Sequence, residues 1–350
     1  MIKLPDRIKT YCHMSTQLAC LSNEQLAGLL RKAEQVHQGR GGHGVLLTLN
    51  GTKVFVKKVP LTDLEQQPEN IMSTTNLFDL PLYYQYGVGS AGFGVWRELA
   101  AHVMTTNWVI SDECPNFPLM YHWRVLPAIR PEQNHAERLD VLERDVQYWD
   151  NSPAVRQRLE AIDHSSSQVL LFLEYVPQTL YQWLGAQLNV GEKEAELAIK
   201  FAEDNLRITN DFINARGLLH FDAHFENILT DGRVLYFSDF GLALSSSFEL
   251  SDAEIQFMKD HHNYDPCSTL VNLLHCIVTN LYKSDNWIAK LQECLNGEQG
   301  EIPKAVLHTL KRYAPIAITM DDFYRNLRKV SKSTPYPAAR LRSLLSKVYG

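Results

Sequence analysis

Two acids and an amide lie close together near the middle of the chain: Asp222, Asn227 and Asp239, in the stretch Gly217 to Ala243. The apolar runs Ile228-Leu229 and Val234-Leu235-Tyr236-Phe237 flank the polar turn Thr230-Asp231-Gly232-Arg233, which predicts a small hairpin. Such a hairpin carries Asp222 and Asn227 before its first strand and Asp239 just after its second. Two carboxylates and an amide supply hard oxygen ligands for Mg²⁺ and an acceptor for a hydroxyl proton, the set that phosphoryl transfer requires.

A second group lies far upstream. Gly39-Arg40-Gly41-Gly42-His43-Gly44 fits G-x-G-x-x-G and precedes the apolar run Val45 to Leu49, the tight-turn signal Asn50-Gly51 and a second run, Lys53 to Val59. Glycines without Cβ atoms let backbone N–H groups approach phosphates, and a strand lysine adds a compact positive charge. Strand alternation sends Lys57 and Lys58 to opposite faces, so only one can serve. Downstream, Val95 to Met104 shows helical spacing and contains Glu98, and Gln168 to Pro177 is an apolar strand that ends in a polar break.

In this order these pieces resemble the protein kinase-like superfamily. The catalytic-loop pattern H-x-D-x-x-x-x-N reads His220-Phe221-Asp222 through Asn227, D-F-G reads Asp239-Phe240-Gly241, and Val54-Phe55-Val56-Lys57 is similar to V-A-I-K. The resemblance covers about residues 36–282 and implies an α+β, bilobal kinase-like fold. Residues 1–35 would be a helical extension without chemistry. Residues 36–176 would form a small β-rich lobe with insertions at about 60–92 and 105–165, and residues 177–350 a larger helical lobe. It implies ATP with Mg²⁺ (or Mn²⁺) as cofactors. Gly39, Gly41, Gly42 and Gly44 would cover the phosphates, and Glu174, Tyr175 and Val176 would meet the base. Lys57 would bind phosphate with Glu98 behind it, Asp222 would take the hydroxyl proton with His224 nearby, and Asn227 and Asp239 would hold the metal. Asp265 would brace the catalytic loop.

Several features depart from the family pattern. Phe55 replaces the small residue that usually roofs the base: either the base sits differently, or Lys58 is the counterpart of the lysine with Val56 as roof. Lys57 is favoured. The stretch from Lys57 to Glu98 is long for the family, and A-P-E is absent after Gly241. Three readings follow. D-F-G-L-A and the V-x-V-K-K strand favour an atypical protein Ser/Thr kinase. His224, where protein kinases carry lysine, and the missing A-P-E favour a small-molecule kinase of the aminoglycoside or choline type. A kinase-like binding module without catalysis normally loses an essential residue, and none is lost here. The acceptor is therefore expected to be a protein, with a small molecule as the alternative, and Ser245-Ser246-Ser247 are expected targets of self-phosphorylation.

Composition bounds the rest. With 350 residues, 45% hydrophobic and 21% charged, the chain can build a sizeable core. A net charge of −6 gives no global pull towards nucleic acid or an anionic membrane. The six cysteines are scattered without CxxC spacing, which argues for reduced thiols and no zinc site. No apolar run approaches bilayer length, so the expectation is a cytoplasmic protein, delivery to another cell leaving no readable mark. His261-His262 lack a third ligand and read as exposed loop residues; the basic tail (Lys329, Lys332, Arg340, Arg342, Lys347) reads as a solvated helix face.

Overall fold

Asn50 and Gly51 both adopt positive φ (48° and 80°), the geometry a two-residue hairpin needs to match strand twist. They join β2 (His43–Leu49) to β3 (Thr52–Leu61). The computed structural model describes residues 4–36, 43–128, 135–284, 286–298 and 302–349. Contacts divide the chain into two units, Met1–Tyr175 with Asp239–Ser251, and Val176–Ser238 with Asp252–Gly350. Both mix helix and strand, and among the described residues no helix is long and apolar enough to cross a membrane.

The first unit begins with α1 (Leu4–Ala19) and α2 (Asn23–Arg31). Ser22 accepts from the Gln25 backbone N–H and Gln25 returns a bond to Ser22, the capping box that starts α2 where the sequence signals it. β1 (Glu34–Val36), β2, β3, α3 (Val95–Ile110), β4 (Met120–Pro127), α4 (His135–Tyr148), α5 (Pro153–His164) and β5 (Ser167–Glu174) follow. The antiparallel sheet runs β1-β2-β3-β5-β4, with Lys57 opposite Leu171 and Val54 opposite Glu174. Its inner face packs on α3: Val59, Leu61, Met120, Val169, Leu171 and Leu173 bury against Val95, Trp96 and Leu99. Each such side chain contributes about 1.5–3 kcal/mol relative to exposure, and together they fix the helix that carries Glu98.

Two expectations for this unit need correction. Residues 105–165 supply an edge strand, β4, that the loop-like composition around it conceals. Residues 60–92 have no long regular element, as their composition suggests, and Phe78, Leu80, Tyr84 and Phe93 share a second core with Trp149 and Val155. The N-terminal extension does more than pack. The buried Arg7 guanidinium donates to both Glu174 carboxylate oxygens (3.0 and 2.6 Å) and to the Pro115 and Phe117 carbonyls.

The second unit holds β6 (Gln178–Thr179), α6 (Leu180–Leu188), α7 (Glu192–Ala215), β7 (Leu218–Leu219), β8 (Ile228–Thr230), β9 (Leu235–Phe237), α8 (Asp252–Asp260), α9 (Tyr264–Tyr282), α10 (Trp287–Asn296), α11 (Lys304–Lys329) and α12 (Ala338–Tyr349). β8 and β9 form the expected hairpin, Ile228 opposite Phe237 and Thr230 opposite Leu235. Its turn is closed by the Asp231 carboxylate, which accepts from the backbone N–H groups of Arg233 (2.9 Å) and Val234 (3.0 Å).

Two further expectations fail here. His261 is buried rather than exposed. Its ring stacks between Phe257 (centroids 3.8 Å) and Tyr336 (4.5 Å), and burial pushes its pKa down to about 4, so it is a neutral aromatic spacer. Lys332 is likewise buried and does not belong to a solvated face.

Candidate functional site

In the first unit, strand alternation turns Lys57 inward towards α3, and Lys58 points the other way, half-buried. The Lys57 ammonium donates to Glu98 Oε1 at 2.6 Å and to Asp239 Oδ1 at 2.7 Å. Lys57 and Glu98 are each 3% exposed, and the Asp239 carboxylate is about a third exposed. Burial alone would lower the Lys57 pKa, but the charges of Asp239 and Glu98 outweigh it and raise it, so the ammonium keeps its proton. Burial raises the Glu98 pKa; Lys57 opposes that rise and Asp239 reinforces it. Of the two carboxylates it is Asp239 that reaches solvent.

Asp239 itself has φ 63°, a left-handed conformation that costs a non-glycine residue of order 1 kcal/mol or more and concentrates at functional sites. Its carboxylate also accepts from the Gly241 N–H (3.3 Å). Phe240, between them, is fully buried and packs edge-on against His102 of α3 (centroids 5.0 Å) and near Phe117 (6.3 Å). The apolar anchor keeps the neighbouring carboxylate at the end of Lys57.

In the second unit, His220, Asp222, His224 and Asn227 share one loop. Asn227 donates from its amide to the Asp222 carbonyl (3.0 Å) and to Asp222 Oδ2 (3.1 Å), which fixes the carboxylate. His224 Nε2 lies 3.9 Å from Asp222 Oδ2, with His224 43% exposed. The loop is braced from α9: Asp265 accepts from the backbone N–H groups of His220 (2.6 Å) and Phe221 (2.9 Å). Burial pushes the Asp265 pKa up to about 6 even though both N–H groups favour its charged form. The buried His220 ring adds a tie from Nε2 to the Ser238 carbonyl (3.0 Å) and one from Nδ1, which accepts the Asp222 N–H (3.3 Å). Phe221 is held at φ 60° on a platform of Tyr264, Phe257 and His261, its ring 4.8, 5.6 and 5.9 Å from theirs.

No protein-family model matches the chain, and no curated protein matches it.

The side chains therefore fall into two groups: Lys57, Glu98 and Asp239 in one unit, and Asp222, His224 and Asn227 in the other. The glycine run is mostly out of view, since Gly39, Gly41 and Gly42 lie outside the described residues; Gly44 is buried in β2, paired with Val36 and Lys57. At the end of β5, the Glu174 N–H donates to the Leu119 carbonyl (2.8 Å) and its carboxylate is held by Arg7. Any part Glu174 takes in holding a base runs through its carbonyl. Tyr175 lies under the Lys53 ammonium at 5.3 Å. Val176 opens the second unit.

Asn227 and Asp239, which lie in different units, each carry a hard oxygen of the kind a divalent cation takes. The Asn227 amide nitrogen is committed to Asp222, which leaves its carbonyl oxygen as the hard donor, and Asp239 offers a partly exposed carboxylate. Among the described residues no group of three or more His, Cys, Asp and Glu side chains converges as a metal cage. Arg7 and Asp265 are the residues around these groups with the least local signal. Arg7 had none, and Asp265 was visible only through its place in the pattern.

Proposed function

We propose that the chain is a kinase-like, bilobal ATP-dependent phosphotransferase whose acceptor is a hydroxyl, most simply a serine or threonine side chain. The observation that carries the reading is the Lys57 ammonium bonded to both Glu98 and Asp239. A buried, permanently charged lysine oriented by one buried carboxylate and one solvent-reaching carboxylate is arranged for an anionic ligand that arrives with a cation. Asp222, fixed by Asn227, accepts the proton of the acceptor hydroxyl as its oxygen bonds to the γ-phosphorus. The bond from that phosphorus to the β,γ-bridging oxygen breaks, and ADP leaves with the electron pair. Lys57 binds nucleotide phosphate, and His224 supplies a polar group beside Asp222. Asn227 and Asp239 would hold Mg²⁺ or Mn²⁺, which neutralises charge on the phosphates when bound.

The test is incubation of the purified chain with γ-labelled ATP in a lysate, following the label into protein, nucleic acid and small solutes. Label on serine or threonine of a protein supports the reading. Label only on a soluble hydroxyl compound moves the acceptor to a small molecule, and none at all with either Mg²⁺ or Mn²⁺ refutes phosphotransfer. Self-labelling of the serine cluster would fall on the exposed Ser246 or Ser247: Ser245, expected with them, is buried and its hydroxyl accepts the Ser247 N–H.

A further inference from the structure

Residues 62–94 hold two things at once. The first is the start of α3. Its N-cap, Gly94, offers no side chain, and the Val95 N–H donates instead to Glu65 Oε1 (2.8 Å). A carboxylate there also meets the positive end of the helix dipole. The Trp96 indole N–H donates to the Glu65 carbonyl (2.9 Å), and Arg97 Nε donates to the Thr74 carbonyl (2.7 Å). Glu65 is 1% exposed, and its other oxygen accepts from Arg158 of α5 (3.1 Å) and from both the N–H and hydroxyl of Thr62. Every residue of the first turn ahead of Glu98 is thus tied to this segment.

The second is the chain after Asp239. The buried Gln85 amide donates to the Leu242 carbonyl. Gly92 has φ 75°, and a Cβ there would stand 2.3 Å from the Gly241 carbonyl oxygen, so glycine alone permits this approach. The Glu249 N–H donates to Thr74 Oγ1 (2.8 Å), Ser73 Oγ donates to the Glu249 carboxylate (3.1 Å), and the Arg97 guanidinium lies 5.8 Å from the Phe248 ring centre. Asp239, Gly241, Leu242, Phe248 and Glu249 all meet unmodified partners, of which Lys57 and Arg97 are charged.

We infer that residues 62–94 are a built-in clamp, with Glu65 and Gln85 as positioning residues that keep Glu98 and Asp239 on Lys57 without any phosphorylation of the 239–251 segment. The inference deepens the phosphotransferase reading and rests on it for its effect on turnover. The physical argument is one of preorganisation: a constellation held by locked, fully bonded neighbours keeps its geometry, and a loosened one loses rate before it loses fold.

The experiment compares full-length wild type with Gln85→Ala and Glu65→Gln by hydrogen–deuterium exchange and by ATP turnover. Gln85→Ala should speed exchange of amides 239–249, and Glu65→Gln that of amides 95–103, each by about tenfold or more, with kcat/KM for ATP falling by about tenfold. Phosphatase-treated wild type should keep its turnover within about twofold, as should Ser246→Ala/Ser247→Ala. Glu65→Gln leaves Arg158 with a weaker partner, so if it does not fold, Gln85→Ala decides alone. A folded Gln85→Ala protein with wild-type exchange overturns the clamp; so does faster exchange with unchanged turnover, or a turnover that collapses on dephosphorylation. Asp222→Asn is the control for the underlying reading: if it keeps full turnover, the phosphotransferase assignment falls, while the exchange measurements still decide whether residues 62–94 hold the two segments.

Discussion

Lys57 and Asp222 are held by opposite means. Lys57 sits among charges: two carboxylates within 2.7 Å, nearly all of the group buried, its proton secured by the surplus of negative charge. Asp222 accepts from the Asn227 side-chain amide, its backbone N–H is tied to His220, and the partly exposed His224 lies 3.9 Å away. The first arrangement stores its order in electrostatics, where removing one charge strands the others. The second stores it in the shape of a loop, kept by Asp265 and an aromatic platform. Substitutions should separate the two, because a change at Lys57 ought to lose stability together with activity, and one at Asp222 activity alone.

The largest effects are expected at the residues proposed to meet the reacting groups. Asp222→Asn and Asp239→Asn should each cost about 10³-fold or more in kcat, and chelation of divalent cations should abolish turnover until Mg²⁺ or Mn²⁺ is restored. Circular dichroism and thermal melting should show Asp222→Asn folded like wild type. A folded Asp239→Asn protein turning over at the wild-type rate would remove Asp239 from the assignment.

Next comes the pair of adjacent lysines. Lys57→Met leaves two carboxylates facing each other, one of them buried, and should cost roughly 3 kcal/mol of stability and about 10²-fold in kcat/KM. Lys58→Met, on the other face of the same strand, should stay within about 0.5 kcal/mol and about twofold in rate. Denaturant melts and initial rates of both variants check this, and reversed losses would make Lys58 the phosphate-binding residue.

The loop has its own signature in pH. Asp265 is an acid whose folded pKa, about 6, lies above its ordinary value of 3.8. The folded state therefore binds the extra proton, and stability from this group grows as pH falls through about 6 and is complete below about 4. Wild type should thus gain on Asp265→Asn, by up to about 3 kcal/mol, when the two are compared from pH 7 down to pH 4. Urea melts across that range measure the difference; a gap that shrinks on acidification would show that the N–H groups of His220 and Phe221 outweigh burial. The smallest effect is expected at His224, where a partly exposed histidine 3.9 Å from a carboxylate is worth under about 1 kcal/mol. His224→Ala should lower kcat by about three- to tenfold and His224→Lys should restore it, as initial rates at pH 7 will show.

How far these arrangements could be read in advance depended on whether their signal was local. Lys57 and the hairpin around Asp231 sit in short stretches where period-two alternation and turn chemistry act over a few residues. Glu98 was legible only through the family resemblance, which calls for a glutamate on the helix begun at Val95. Glu65 stands in the polar run Asp63-Leu64-Glu65-Gln66-Gln67, which looks like solvated surface; its burial comes from Arg158, 93 positions away, and Val95. Arg7 meets Glu174 across 167 positions and no local pattern could pair them. β4 was concealed because Arg124 and His122 interrupt its apolar alternation, and they do so at the sheet edge, where Arg124 is satisfied by the Leu18 and Leu21 carbonyls of the N-terminal helical segment. His261 read as an exposed loop residue because no ligand set surrounds it in sequence; its burial comes from aromatic rings that the fold gathers around it, among them Phe221 and Tyr336 from distant parts of the chain.

The discontinuity of the first unit bears on the order in which the protein is made. Its sheet, α3 and Lys57 leave the ribosome with the first 175 residues, but its last contribution, Asp239–Ser251, follows another 63 residues later, after the whole of Val176–Ser238. Until then Lys57 has Glu98 but not Asp239 to bond, and the Gln85 amide and the Thr74 hydroxyl lack the Leu242 carbonyl and the Glu249 N–H that they meet in the folded chain. A nascent chain is thus left with an unfinished charge cluster during synthesis, and completing it is a long-range event of the kind that folds late. A fragment cut after Tyr175 would reproduce that intermediate permanently, whereas one in which residues 239–251 are rejoined to Tyr175 by a flexible linker would have every partner its ionic cluster requires.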